Sequence, residues 1–209
     1  ANETPFSALA LAELAERAGI PAGIFNVVLG DPAEVSKILC AESRIRALSF
    51  TGSTRVGRLL IEQSANTVKR LSLELGGNAP FIVGPDMDPK EAAFAAIDAK
   101  FQTAGQDCLA ANRILVHESI HDEFVEHFSE RMAALTVGNG LHSEIDLGPL
   151  IHRQAVEKAA AIVDDAISKG AKMVGGDQSQ APGENFFMPV MLTGVTAQMK
   201  VWREENFAP

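Results

Sequence analysis

The sequence predicts an α/β fold built on parallel strands. Three observations predict it: helical and strand signals alternate along the chain, the strand runs are short and bounded by turn residues, and 46% of the 209 residues are hydrophobic. Alternation of this kind places helices on the faces of a parallel sheet. A chain of this length and apolar content buries a sizeable core, as one large domain or parts of two.

Each element follows in order. Residues 6–18 carry apolar side chains at helical spacing and stop at Gly19, Pro21 and Gly23. Ile24-Phe25-Asn26-Val27-Val28-Leu29 reads as a buried strand closing at Gly30. Residues 33–41 suit a short helix, 45–50 a second strand, 53–63 a helix with Ser53 as its N-cap, and 71–75 a third strand. Gly76-Gly77-Asn78-Ala79-Pro80 is the most turn-prone stretch of the first hundred residues, so a domain boundary is expected there, dividing residues 1–75 from 76–209. Beyond it the pattern predicts a strand at 79–83, an alanine-rich helix at 89–102, a strand at 113–116 and a long amphipathic helix at 120–135. A helix at 155–169, ended by Gly170, and strands at 172–174 and 188–192 complete the second unit.

Charge and composition narrow the function. The formal net charge is -9, and the 18 Lys and Arg residues are scattered, without the basic stripe that neutralises nucleic-acid phosphates. Apolar runs fall far short of the roughly 20 residues that cross a bilayer. Two cysteines are too few for a disulfide framework, so a soluble cytoplasmic protein is expected. The chain opens at Ala1 and stops at Pro209 directly after an acidic-aromatic cluster, which reads as an internal fragment of a longer polypeptide.

Four features bear on chemistry. Cys108, in Gly105-Gln106-Asp107-Cys108, falls on a loop between a predicted helix and a predicted strand. It is either an inert buried hydrophobe or an accessible nucleophile. Cys40, inside Ile38-Leu39-Cys40-Ala41, takes the first reading. Glu74 ends an apolar strand, where partial desolvation would suit a general base; a carboxylate capping a strand edge is the alternative. Gly52-Ser53-Thr54-Arg55-Val56-Gly57 joins a strand to a helix, the place where backbone N–H groups and the helix dipole bind phosphate, although it matches neither the P-loop nor Gly-x-Gly-x-x-Gly. His117-Glu118-Ser119-Ile120-His121 fits His-Glu-x-x-His, but a strand runs into His117 and the helix begins near Ser119, so the rings diverge and no metal site is expected.

These motifs occur in one order that resembles the aldehyde dehydrogenase superfamily: Glu3-Thr4-Pro5, Phe50-Thr51-Gly52-Ser53-Thr54, Glu74-Leu75-Gly76-Gly77-Asn78, Gly105-Gln106-Asp107-Cys108, Gly148-Pro149-Leu150 and Glu204-Glu205-Asn206-Phe207. The resemblance implies part of a Rossmann-like cofactor-binding domain followed by an α/β catalytic domain. It further implies NAD or NADP as cofactor, a small-molecule aldehyde as substrate and a homo-oligomer as the full-length protein. In that family a cysteine thiolate attacks the aldehyde, the thiohemiacetal passes hydride to the nicotinamide, and water hydrolyses the thioester. Cys108 matches the nucleophile and Glu74 the general base. Gly52, Ser53, Thr54, Val56, Gly57 and Leu75 match the pyrophosphate and adenine side of the cofactor site, while Glu205 and Phe207 match the nicotinamide-ribose side. The oxyanion hole would join the Cys108 N–H to an asparagine upstream of residue 1, where the family's ribose-binding lysine also belongs.

Residues 6–12, 77–83 and 111–113 are most similar to succinate-semialdehyde dehydrogenases. Those enzymes carry an arginine six residues before the nucleophile to bind the substrate carboxylate, where this chain has Gln102, and some carry a second cysteine where it has Ala110. Asn2 stands where NAD-preferring members often carry a glutamate, so NADP stays open. The alternative to the enzyme is a non-catalytic nucleotide-binding or structural homologue.

Overall fold

The computed structural model describes residues 3–209, so the reading placed on Asn2 lies outside the described residues. The chain divides into two compact units, Ala1–Leu75 and Gly76–Pro209.

In the first unit, β1 (Ala47–Gly52) and β2 (Arg70–Leu75) pair in parallel, with Leu48 beside Leu71 and Phe50 beside Leu73. The period of two puts Leu48, Phe50, Leu71, Leu73 and Leu75 on one half-buried face and Ser49, Thr51, Ser72 and Glu74 on an exposed one. Helix α1 (Phe6–Arg17) buries no residue. Helix α2 (Pro32–Ala41) starts at Asp31, whose carboxylate accepts from the Ala33 and Glu34 N–H groups, with Pro32 preset for the first turn. Its Cys40 is fully buried. The chain around it is pinned by the Thr67 hydroxyl on the Cys40 carbonyl and by the buried Lys69 ammonium on the carbonyls of Glu42 and Ile45. Helix α3 (Thr54–Ser64) lies against β2: a Cβ on Gly57 would stand 2.7 Å from Leu75 Cδ2, so any larger residue forces Leu75 to move.

One expected strand does not form. Residues 24–29 are irregular, and Ile24 and Val28 are each 73% exposed. A strand needs a hydrogen-bonded neighbour. Among the described residues β1 and β2 pair only with each other.

The second unit repeats the parallel arrangement. Strands β3 (Ala79–Val83) and β4 (Ala111–Val116) pair in parallel, with an irregularity at Pro80, which has no N–H to give. Between them runs α4 (Pro89–Phe101), opened by Asp88 and Pro89 as α2 is by Asp31 and Pro32. Its alanines let it approach α5 (His121–Ala133), and Ala93, Ala96, Ile97 and Phe101 join Phe124, Phe128 and Met132 in the main core. The rings of Phe124 and Phe128 stack at 5.8 Å between centroids. Helix α6 (Arg153–Ser168) packs through Ala159, Ile162 and Ala166. β5 (Lys172–Gly175) and β6 (Val190–Thr193) pair antiparallel rather than parallel, and a short helix α7 (Lys200–Arg203) precedes the C-terminal segment. No helix is long and apolar enough to cross a membrane among the described residues.

Candidate active site

The Cys108 loop begins where α4 ends. Thr103, Ala104 and Gly105 take φ values of 54°, 54° and 70°, three successive left-handed residues of which two carry a Cβ. Such backbone is costly and persists only where its surroundings enforce it. The surroundings are visible. A Cβ on Gly105 would stand 2.5 Å from the Ala208 carbonyl oxygen, so the C-terminal segment closes over this turn and leaves room for glycine alone. Gln106 then fastens the loop to the Gly148-Pro149-Leu150 segment. Its Oε1 accepts from the Ile151 N–H at 2.9 Å and its Nε2 donates to the Pro149 carbonyl at 3.2 Å. Asp107 accepts from the Leu109 N–H through its side chain and from the Ala110 N–H through its carbonyl, which turns the chain about Cys108. Cys108 is exposed at this turn.

A second cluster surrounds Gly76-Gly77-Asn78. The Gly77 N–H donates to Glu205 Oε1 at 3.0 Å, and the Glu205 carboxylate lies so close over Gly76 that a Cβ there would overlap it. On its other side Gly77 approaches the Cys108 carbonyl, where a Cβ would stand at 3.4 Å. Asn78 donates to the Trp202 carbonyl at 3.0 Å, and its own carbonyl accepts two bonds from the Arg113 guanidinium, which also lies 5.3 Å from the Trp202 ring centroid. Glu205 is half-buried, while Phe207 is 41% exposed. The second unit therefore brings together four motifs far apart in sequence, those at 76–78, 105–108, 148–150 and 204–207.

The other candidate residues lie in the first unit. Glu74 is exposed on the polar face of β2 opposite Thr51, not desolvated as expected, because strand alternation turns it away from the leucine face. Ser53 caps α3, its Oγ accepting from the Val56 N–H at 3.3 Å, and the Gly57 N–H returns to the Ser53 carbonyl. The N–H groups of Thr54 and Arg55 have no protein acceptor among the described residues, and Gly52, Ser53 and Thr54 are exposed. Open donors and small residues at the positive end of an eleven-residue helix fit a pyrophosphate. Gly57 is buried, and Val56 and Leu75 are half-buried.

His117 and His121 do not share a helix. His117 caps a single 3₁₀ turn and meets Ser119 Oγ at 2.9 Å, whereas His121 opens α5 and meets Asp122 at 2.9 Å. The sequence reading missed Lys100, which is 7% exposed and donates to Asn112 Oδ1 at 2.8 Å. Burial pushes its ammonium down to about 8. Its signal was the stripe Ala93, Ala96, Ile97, Lys100, helical spacing that places a lysine on the buried face. The second unit also encloses a cavity of about 380 Å³, walled by Phe124, Phe128, Ile162, Phe187 and Trp202 among others, which neither Cys108 nor Glu205 lines.

Comparison with known proteins places these motifs in context. The family described as "Aldehyde dehydrogenase family" matches residues 1–209. The chain is 83% identical over 209 residues to an aspartate-semialdehyde dehydrogenase (non-phosphorylating) of Halomonas elongata, of which it spans 42%. It is 49% identical to the NADP(+) succinate-semialdehyde dehydrogenase of Escherichia coli, of which it spans 43%. All of the chain superposes on 43% of the crystal structure of succinate-semialdehyde dehydrogenase from Burkholderia pseudomallei, with a TM-score of 0.97 and 49% identity. The chain thus spans less than half the length of these relatives.

Proposed function

The chain belongs to the aldehyde dehydrogenase family, and from that premise we propose that the full-length protein oxidises a short semialdehyde to its carboxylic acid with NAD(P)+, using Cys108 as nucleophile and Glu74 as general base. The observation that carries this reading is the Cys108 loop, an exposed thiol at the end of a left-handed turn held on one side by Ala208 and on the other through Gln106. Strained backbone that the surrounding structure over-determines is characteristic of sites where a reacting atom must be placed.

The residues divide the work as follows. Cys108 Sγ forms a bond to the aldehyde carbon, and the carbonyl oxygen takes the negative charge, which the Cys108 N–H stabilises. NAD(P)+, when bound, would accept the hydride lost from the former aldehyde carbon as its C–O bond becomes a carbonyl again, leaving the acyl group as a thioester on Cys108. Glu74 removes a proton from the water that adds to the thioester; the C–S bond breaks, and acid and thiol are released. Residues 1–75 supply the cofactor-binding side, with Gly52, Ser53 and Thr54 offering N–H groups to the pyrophosphate. Val56 faces the adenine, and Gly57 and Leu75 support that helix. Residues 76–209 supply the catalytic side, where Glu205 accepts from the nicotinamide-ribose hydroxyls and Phe207 packs beside them. Gly76 and Gly77 hold the Glu205 carboxylate in place for that task.

For the substrate, Gln102 is exposed where succinate-semialdehyde enzymes carry an arginine, and an amide brings no charge to a carboxylate. The Halomonas elongata relative is named for aspartate semialdehyde, and its 83% identity supports an amino-bearing semialdehyde over succinate semialdehyde. The full-length protein is taken to be a cytoplasmic homo-oligomer.

Steady-state and pre-steady-state kinetics on the full-length protein test the reading. Cys108→Ala is expected to reduce turnover to background. Glu74→Gln is expected to keep a burst of reduced cofactor while slowing the steady state by about 10²–10⁴-fold, the usual worth of a general base. Turnover by Cys108→Ala near the wild-type rate would refute the assignment. A panel of aspartate and succinate semialdehydes, each with NAD+ and NADP+, identifies the substrate.

A further inference from the structure

We propose that Lys100 is a positioning residue for the nucleophile loop: its buried ammonium, anchored by Asn112 at the start of β4, packs with the Ala208 carbonyl against Gly105 and so fixes the left-handed turn at 103–105, presenting Cys108 at the exposed end. The inference rests on Cys108 as the nucleophile.

Lys100 lies in the last turn of α4, on the stripe that otherwise buries Ala93, Ala96 and Ile97. A methionine at that position would fill a similar volume without desolvating a charge. Burial of an ammonium is unfavourable unless it is paired, and no charged partner among the described residues offsets it here. A group retained against that penalty beside a strained loop is a candidate for function.

The geometry shows what it touches. Nζ donates to Asn112 Oδ1 at 2.8 Å, which ties the end of α4 to the first residues of β4. The same nitrogen lies 3.2 Å from the point a Gly105 Cβ would occupy, and the Ala208 carbonyl lies 2.5 Å from that point. The ammonium and the C-terminal segment thus pack together against the one face of Gly105 from which a side chain would project. Gly105 is the last of the three left-handed residues, three before Cys108.

The test uses the full-length protein and the variants Lys100→Met, Asn112→Ala and Cys108→Ala. Steady-state kinetics and thermal melting are measured for each, and the rate at which iodoacetamide alkylates Cys108 for wild type, Lys100→Met and Asn112→Ala. For Lys100→Met, kcat is expected to fall at least tenfold and alkylation to slow at least fivefold, with the NAD(P)+ KM within threefold of wild type and Tm unchanged or higher. Asn112→Ala should shift kcat and alkylation in the same direction by less. If Lys100→Met fails to fold, Asn112→Ala decides: a fivefold loss of kcat at wild-type Tm supports the proposal and an unchanged kcat overturns it. Lys100→Met with kcat and alkylation within threefold of wild type also overturns it, and so do losses seen only alongside a fall in Tm. With Cys108→Ala inactive, such a result sinks this inference alone. An active Cys108→Ala variant sinks the nucleophile reading and this proposal with it.

Discussion

At the scale of single residues, the candidate site depends on glycines chosen for what lies beside them. Gly76 gives way to the Glu205 carboxylate, Gly77 approaches the Cys108 carbonyl, and Gly105 fits under the Ala208 carbonyl at φ 70°. The Gly105 case has the clearest consequence, because backbone cannot swing aside as a side chain can. Gly105→Ala is expected to destabilise the full-length protein by about 2 kcal/mol or more, from left-handed strain plus the clash. It should also lower kcat with less effect on cofactor KM. Thermal melting with parallel kinetics checks both; a Tm equal to wild type would show that the loop relaxes freely. The glycines at 76, 77 and 105 were legible as motif members, but not their neighbours. Lys100 was legible in principle, since its position on the apolar stripe of α4 follows from helical spacing. Its partner Asn112, on the next strand, does not.

At the scale of elements, most boundaries followed local rules. Asp31-Pro32 and Asp88-Pro89 each place a capping carboxylate before a proline, and a helix starts at both. Ser53 caps α3 as the sequence predicted. The failure at 24–29 is equally instructive: an apolar run is necessary for a buried strand but does not supply its pairing partner. The antiparallel pairing of β5 and β6 could not be read from two short runs, because strand direction is decided by how the intervening chain returns. Helices α4 and α5 carry the main core of the second unit through Phe101, Phe124 and Phe128. Phe128→Ala is expected to cost about 3–5 kcal/mol, the usual range for a buried aromatic. Thermal melting of the full-length protein reads this, and a change below about 1 kcal/mol would mean the surrounding side chains repack to fill the space.

At the scale of the whole molecule, the described chain leaves much apolar surface uncovered. Phe6 is 81% exposed, Ile24 and Val28 73%, and Ile82 75%, while the relatives are more than twice as long. Large apolar side chains so exposed are expected to be covered in the full-length protein. Residues 1–209 expressed alone should therefore bind a hydrophobic dye strongly, self-associate at micromolar concentration and show no aldehyde-dependent reduction of NAD(P)+. Turnover by that segment at a rate comparable to the full-length protein would overturn this. Sequence by itself determined the α/β alternation, the helix starts and the family, because each depends on residue type at short spacing along the chain. Only the tertiary structure decided that Gln106 fastens the Cys108 loop to residues 149–151, that Glu205 rests on the Gly76-Gly77 turn and that Lys100 reaches Gly105. Those contacts join residues from 43 to 128 positions apart in the first two cases. In the third the chain reverses through left-handed backbone, and neither circumstance leaves a local pattern from which the contact can be read.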